Sequence, residues 1–219
     1  MPMIYWIPES DVAAVRKDKK SSEDEMVLTF LKAELKTEKP VYRTFLKKVL
    51  KQRGLNEEII SDGNLSDNNE NSIRTDILRE YRGYKNNELL FEGFPDKVSW
   101  YWGFLEREDL VKLRYLNSAH WVKLSGNTRS PAETAKRILA GKISNEEFSH
   151  ITDYLKGGGL LPPIILISDP SEEKLIILDG IHRATAYALA PDYLQNAKAL
   201  IGYTERELLA KWRWAKGCL

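Results

Sequence analysis

Hydrophobic residues in the first half of this chain recur mostly at helical spacing, whereas the second half carries short, branched apolar runs of strand length. From Asp24 to Leu35 the apolar positions are Met26, Val27, Phe30, Leu31 and Leu35, the stripe of an amphipathic helix. Pro40 separates it from a second such run, Val41 to Arg53, with Phe45, Leu46, Val49 and Leu50 on one side and Gly54 as its stop. Ile73 to Tyr84 returns to the same spacing. Met3 to Ile7, ended by Pro8, and Leu89 to Phe91 read as short strands. Ser10 to Ser22, polar and basic, reads as a loop or the start of a helix. Ser61 to Asn71, crowded with Asp, Asn and Ser, reads as a mobile loop.

Further on, Glu106 to Leu116 predicts a short helix leading into a strand, His120 to Leu124. A polar turn follows, Ser125 to Pro131, and then a helix from near Ala132 to about Ala140, with Pro131 suited to its first turn. Glu146 to Leu155 predicts another helix, ending in Gly157-Gly158-Gly159. Ile164 to Ile167 and Leu175 to Leu178, joined by a turn at Asp169 to Glu173, predict a hairpin. Ala197 to Ile201 is one more strand, and Thr204 with Glu207 fits a capping box for a last helix, Glu205 to Lys216. Long, regular crossover units are missing from this order. It therefore predicts an α+β fold, a compact mixed β-sheet with packed helices. Residues 1–117 would form a mainly helical region packed on a core of residues 118–219.

Composition narrows the function classes. The 33 basic and 32 acidic residues nearly cancel, so nothing drives the whole chain toward nucleic acid or an anionic membrane. The single cysteine, Cys218, excludes an internal disulfide and a Cys-rich zinc site, and three histidines argue against a histidine-rich metal site. Met1 to Asp11 lacks the features of a signal peptide and no stretch is long enough to span a bilayer, so the expectation is a cytoplasmic protein with no membrane partner. Lys47, Lys48, Lys51 and Arg53 suit either nucleic acid or a solvated helix face. The aromatic run Val98 to Phe104 suits core packing, base stacking, or a protein partner at Trp100 and Trp102. The glycine triplet lacks the Lys and Ser/Thr of a nucleoside-triphosphate loop and reads as a flexible connection.

The densest chemistry lies between Lys174 and Ala190, K-L-I-I-L-D-G-I-H-R-A-T-A-Y-A-L-A. A buried strand runs into Asp179 and Gly180, and a helix starts at once with His182 and Arg183. Such a junction gathers free backbone N–H groups and the positive end of a helix dipole, which suit an anion. Gly180 permits a sharp turn and a close ligand. Asp179 can cap the helix, hold a divalent cation or orient a hydroxyl. The helix start favours neutral His182, as a general base or ring donor requires, and Arg183 can grip phosphate with two donors. Thr185 can contact phosphate or bond back to the helix. Ser125, Asn127, Thr128 and Arg129 offer donors for a second phosphate loop, or simply cap a helix.

The Asp179-Gly180-Ile181-His182-Arg183 string resembles the signature of the ParB/sulfiredoxin-like superfamily, nearest to its free-serine-kinase-like branch, over about residues 121–207. The resemblance implies a nucleotide-binding fold with Gly180, His182 and Arg183 on phosphate and Asp179 as the acidic residue of the kinase-like branch. Ile181 stands where sulfiredoxins carry their nucleophilic cysteine, and Cys218 is remote in sequence, so sulfinic-acid reduction is not implied. A helix-turn-helix region and a basic tail of the partition-protein kind are also missing. The expected function is a nucleotide-binding enzyme with phosphoryl-transfer or nucleotide-hydrolysing activity, using ATP or another nucleotide and Mg²⁺. In that scheme Asp179 and His182 are catalytic, and Asp179 is the metal ligand. A DNA or RNA nuclease and a non-catalytic nucleotide-dependent interaction protein are the alternatives.

Overall fold

The computed structural model describes residues 15–37 and 40–218. The expected strand Met3 to Ile7 and the start of the Ser10 to Ser22 segment lie outside the described residues. A six-stranded mixed sheet has the order β1-β2-β6-β4-β5-β3, built from β1 (Arg16–Lys20), β2 (Ser99–Phe104), β3 (Leu113–Arg114), β4 (Ile164–Ser168), β5 (Leu175–Asp179) and β6 (Lys198–Tyr203). Strands β4 and β5 form the expected antiparallel hairpin, and β6 runs parallel to β4 on its other side. The α+β expectation of a mixed sheet with packed helices holds. The one sheet takes strands from both sides of residue 117.

Alternation along the central strands divides the core in two. Ile165, Ile167, Ile176, Leu178 and Leu200 face one way, with Trp100 and Trp102. Ile164, Leu166, Leu175, Ile177, Ala199 and Ile201 face the other. Both faces are covered, which is why β4 and β5 read as unbroken apolar runs rather than alternating ones. The first face lies under α1 (Glu23–Leu35), α2 (Pro40–Gln52), α3 (Glu58–Ser61) and α4 (Asn68–Arg82), together with the C-terminal Trp212 and Ala215. On the second face α8 (Ile181–Leu189) lies against the sheet, and α6 (Pro131–Leu139) and α7 (Glu146–Lys156) pack on α8.

Several local expectations change. Arg16–Lys20 is an edge strand, antiparallel to β2 and exposed along its whole length. An outer strand that buries neither face needs no apolar residues, and its charges discourage pairing with another chain. Ser61 to Asn71 is pinned rather than loose. Asp67 caps α4 by accepting the N–H groups of Asn69 and Glu70, while buried Arg74 donates to the carbonyls of Ile59 and Asn64 at 3.1 and 2.9 Å. Leu89–Phe91 is a 3-10 turn, not a strand. Its carbonyls bond the indoles of Trp214 (to Leu89, 2.9 Å) and Trp212 (to Leu90, 2.8 Å) instead of a neighbouring strand. Glu106 to Leu116 becomes a 3-10 turn, Arg107–Val111, followed by the short β3.

His120 to Leu124 belongs to a helix, α5 (Ala119–Leu124), not to a strand. The adjacent pair Trp121 and Val122, followed by Leu124, does not alternate, and Ser125 N–H donates to the Trp121 carbonyl at 3.1 Å in helical register. At the C-terminal end only α9, Arg206–Leu209, is α-helical, and the Thr204 capping box does not form: the Thr204 hydroxyl is buried without a hydrogen-bond partner. Turns after α9 allow Trp212 to be fully buried. No helix among the described residues is long and apolar enough to cross a membrane.

Candidate functional site

Strand β5 delivers Asp179 to the sheet's end, and Gly180 makes the turn into α8 with φ 96° and ψ 27°. That left-handed conformation is open to glycine and strained for other residues. A second constraint acts at the same position. A Cβ on residue 180 would stand 3.0 Å from the Nε and Nη2 atoms of Arg183, whose guanidinium folds back over the turn. Arg183 Nη1 donates to the Pro163 carbonyl at 2.7 Å, ahead of β4, and Nη2 donates to Asp179. Asp179 therefore does not cap α8. Gly180 holds the cap position, and the Asp179 carboxylate balances Arg183.

His182 projects toward α7. Its Nε2 lies 2.8 Å from Glu147 Oε1, and His120 Nε2 of α5 lies 3.2 Å from Glu147 Oε2. The two imidazoles thus meet on the two oxygens of one carboxylate. The Trp121 ring stands edge-on to both, at centroid distances of 4.6 Å to His120 and 5.2 Å to His182, and Phe148 lies 5.7 Å from His182. Thr185 is fully buried. Its hydroxyl donates to the Ile181 carbonyl at 2.9 Å and lies 2.7 Å from the Tyr115 hydroxyl, the back-bonded arrangement. Burial pushes the Tyr115 hydroxyl up to about 12, against the hydrogen bonds of Thr134 and Thr185, so it stays protonated.

The Ser125 to Arg129 turn joins two helices, α5 and α6, and is largely self-bonded. Ser125 Oγ donates to the Trp121 carbonyl and accepts the Arg129 N–H, both at 2.8 Å. Thr128 Oγ1 donates to the Ser125 carbonyl at 2.9 Å, and exposed Asn127 adopts φ 71°. Arg129 is buried. Its Nη1 reaches the Trp214 carbonyl at 3.4 Å, and its Nη2 has no hydrogen-bond partner. Arg129 and Arg183 therefore share no hydrogen-bond partner among the described residues. Cys218 lies beside Arg129, and burial pushes its thiol up, with Arg129 opposing.

The structure thus groups Asp179, Gly180 and Arg183 in one turn. It sets His182 against Glu147 and His120, and directs Arg129 to the C-terminal segment. His120, Trp121, Glu147 and Phe148 were not singled out by sequence. Their one signal was that the chain holds only three histidines. Glu34 was missed as well. Buried on α1, it accepts from Tyr81 Oη at 2.7 Å and pairs with Arg82. Burial raises its carboxyl above the usual range, Arg82 pulls it down, and the Asp179 charge pushes it up again.

Trp100 and Trp102 are 3% and 8% exposed and pack into the first core, so neither ring is a stacking platform or partner surface. Two depressions lie elsewhere: one of about 520 Å³ lined by Arg16, Glu106, Arg107 and Asp192, another of about 370 Å³ lined by Tyr84, Asn87 and Lys211. No group of three or more His, Cys, Asp or Glu among the described residues is arranged to hold a metal ion. No family model matches the chain, and no curated protein and no solved structure matches it.

Proposed function

We propose that the β5–α8 turn binds the phosphates of ATP or a related nucleotide, and that the chain uses them in phosphoryl transfer or nucleotide hydrolysis. The observation that carries the reading is Gly180, whose left-handed backbone and missing Cβ let a strand end, a helix start and the Arg183 guanidinium share one turn. Arg183 would offer donors to phosphate, and Asp179, its present partner, would orient the attacking oxygen or the metal that accompanies the nucleotide. His182 would accept or hold a proton. Such a reaction needs positioned charge more than covalent chemistry. The likeness of Asp-Gly-x-His-Arg to the ParB/sulfiredoxin-like signature supports the same assignment.

Mg²⁺ would enter with the nucleotide rather than occupy a protein cage, because Asp179 alone supplies a carboxylate within the turn. Magnesium commonly binds in this manner, with one or two carboxylates and the substrate's phosphates. Ser125, Asn127, Thr128 and Arg129 would contribute chiefly by shaping the neighbouring turn, since Ser125 and Thr128 already spend their hydroxyls within it.

Calorimetry with ATP, GTP and CTP, with and without Mg²⁺, tests the reading. Binding that is lost in a folded Arg183→Ala protein is the expected result. Absence of binding in the wild type, or binding unchanged in Arg183→Ala, contradicts it. Steeply salt-dependent binding of single-stranded DNA or RNA, without nucleotide binding, would favour the nuclease alternative.

A further inference from the structure

We propose that His120 and His182 form an anion clamp held closed by the chain's own Glu147, and that a phosphate group of the ligand takes the place of the Glu147 carboxylate. The proposal rests on the phosphate reading of the α8 turn and adds a ligand contact, His120, and an internal competitor, Glu147. Its starting point is the convergence of two Nε2 atoms from two helices on one carboxylate of a third, at 2.8 and 3.2 Å.

An ionised carboxylate only accepts hydrogen bonds, so the clamp assigns a proton to each Nε2, aimed at one small anionic group. Phosphate oxygens make the same demand: several acceptor oxygens, close together, with negative charge between them. The pair is held by aromatic rings rather than by the carboxylate alone. Trp121 stands edge-on to both imidazoles at interplanar angles of 79° and 80°, and Phe148 lies against His182. His182, its side chain 20% exposed, is the more firmly held of the two, and His120, 58% exposed, meets Trp121 at its edge. Glu147 lies in the first turn of α7, and its side chain is 33% exposed, so a rotamer change carries it toward solvent.

Carboxylate and phosphate cannot share the clamp. Two anions within about 4 Å repel each other. Glu147 thus sets a threshold. Weakly charged anions fail to displace it, and a doubly charged phosphate succeeds. His182 and Arg183 are consecutive in α8, with His182 turned to Glu147 and Arg183 to Pro163 and Asp179.

Titration with inorganic phosphate and with ATP, comparing wild type, Glu147→Gln and the double variant Glu147→Gln/His120→Ala, tests the clamp. Glu147→Gln is expected to bind inorganic phosphate about tenfold more tightly than wild type, since it removes a like charge at contact distance, and adding His120→Ala is expected to reverse most of that gain. Unchanged or weaker binding by Glu147→Gln overturns the proposal, as does a double variant that binds as tightly as Glu147→Gln. A second readout needs no variant. In wild type, phosphate should shift the imidazole ¹⁵N resonances of His120 and His182 together, and a shift of His182 alone overturns the clamp. ATP binding that requires Arg183 but ignores Glu147→Gln would remove the clamp and leave the nucleotide reading standing. Phosphate binding tightened by Glu147→Gln, with no binding of any nucleotide, would do the reverse.

Discussion

The two faces of the sheet bury similar strands and spend their polar residues differently. Under α1 to α4 the core is wide and aromatic, with Phe30, Tyr81, Phe91, Trp100 and Trp212 in contact with the sheet's inner side or with one another's layer. Buried charges there serve the architecture: Arg74 ties the loop before α4, and Glu34 joins Arg82 and Tyr81. The opposite face has a more aliphatic core, and at its edge the polar groups of α5, α7 and α8 converge on His182. Glu172, bonded to Tyr203 and to the Val15 N–H, is architectural on that second side too, which in addition gathers two histidines on one carboxylate. Buried, satisfied polar groups rigidify a fold, whereas half-exposed ones can exchange partners.

The sharpest break of this comparison is a truncation on the first face. Trp212→Ala, at a fully buried ring, should cost about 3–5 kcal/mol in urea unfolding, while His182→Ala on the second face should cost about 1 kcal/mol or less. Equal losses would erase the distinction. Next in size is Gly180→Ala. Its strained backbone and the 3.0 Å approach to Arg183 should destabilise by about 1–3 kcal/mol, and crystal structures or amide shifts should show Arg183 displaced from Asp179. A neutral outcome would mean that the turn does not depend on glycine.

Smaller effects appear in the pH dependence of the first face. The Glu34 carboxyl is raised by burial above its ordinary 4.5, so its share of stability is complete below that value and is lost as pH rises through the folded value. Glu70 behaves in the opposite sense. The Asn64 N–H and Arg74 lower its carboxyl below 4.5, so its share is present above that value and is lost as pH falls. Stability curves of Glu34→Gln and Glu70→Gln should therefore both diverge from wild type above pH 4.5 and approach it at low pH, with opposite signs: Glu34→Gln gains stability relative to wild type and Glu70→Gln loses it. Coincident curves would contradict the assignment. Smallest of all, His120→Ala on its exposed site should change stability by under about 0.5 kcal/mol.

The strands β4 and β5, helix α8 and the glycine between them were legible because each announces itself locally: branched runs, a turn residue and a helical stripe. The amphipathic helices α1 and α2 were legible for the same reason. Other features depend on distant partners. Glu147 and His182 are 35 positions apart, and Glu147 and His120 are 27 apart, so no local pattern signals their meeting. Strand β1 has no apolar residues to reveal it, because its pairing with β2 rather than burial makes it a strand. The spacing predicts one long C-terminal helix, yet the segment bends to bury Trp212, whose indole donates to the Leu90 carbonyl. A strand at His120 to Leu124 would point Trp121 away from its neighbour His120, whereas the helix α5 sets the Trp121 ring beside both histidines.

The most direct test of the central claim is to map where a nucleotide touches the protein, by following backbone amide and imidazole resonances as ATP is added. Shifts should concentrate at residues 179–185, with His120, Glu147 and the Ser125 to Arg129 turn responding at the same concentrations. Shifts centred instead on the depression around Tyr84 and Lys211, or on that around Arg107 and Asp192, would contradict it, as would a spectrum that ATP leaves unchanged.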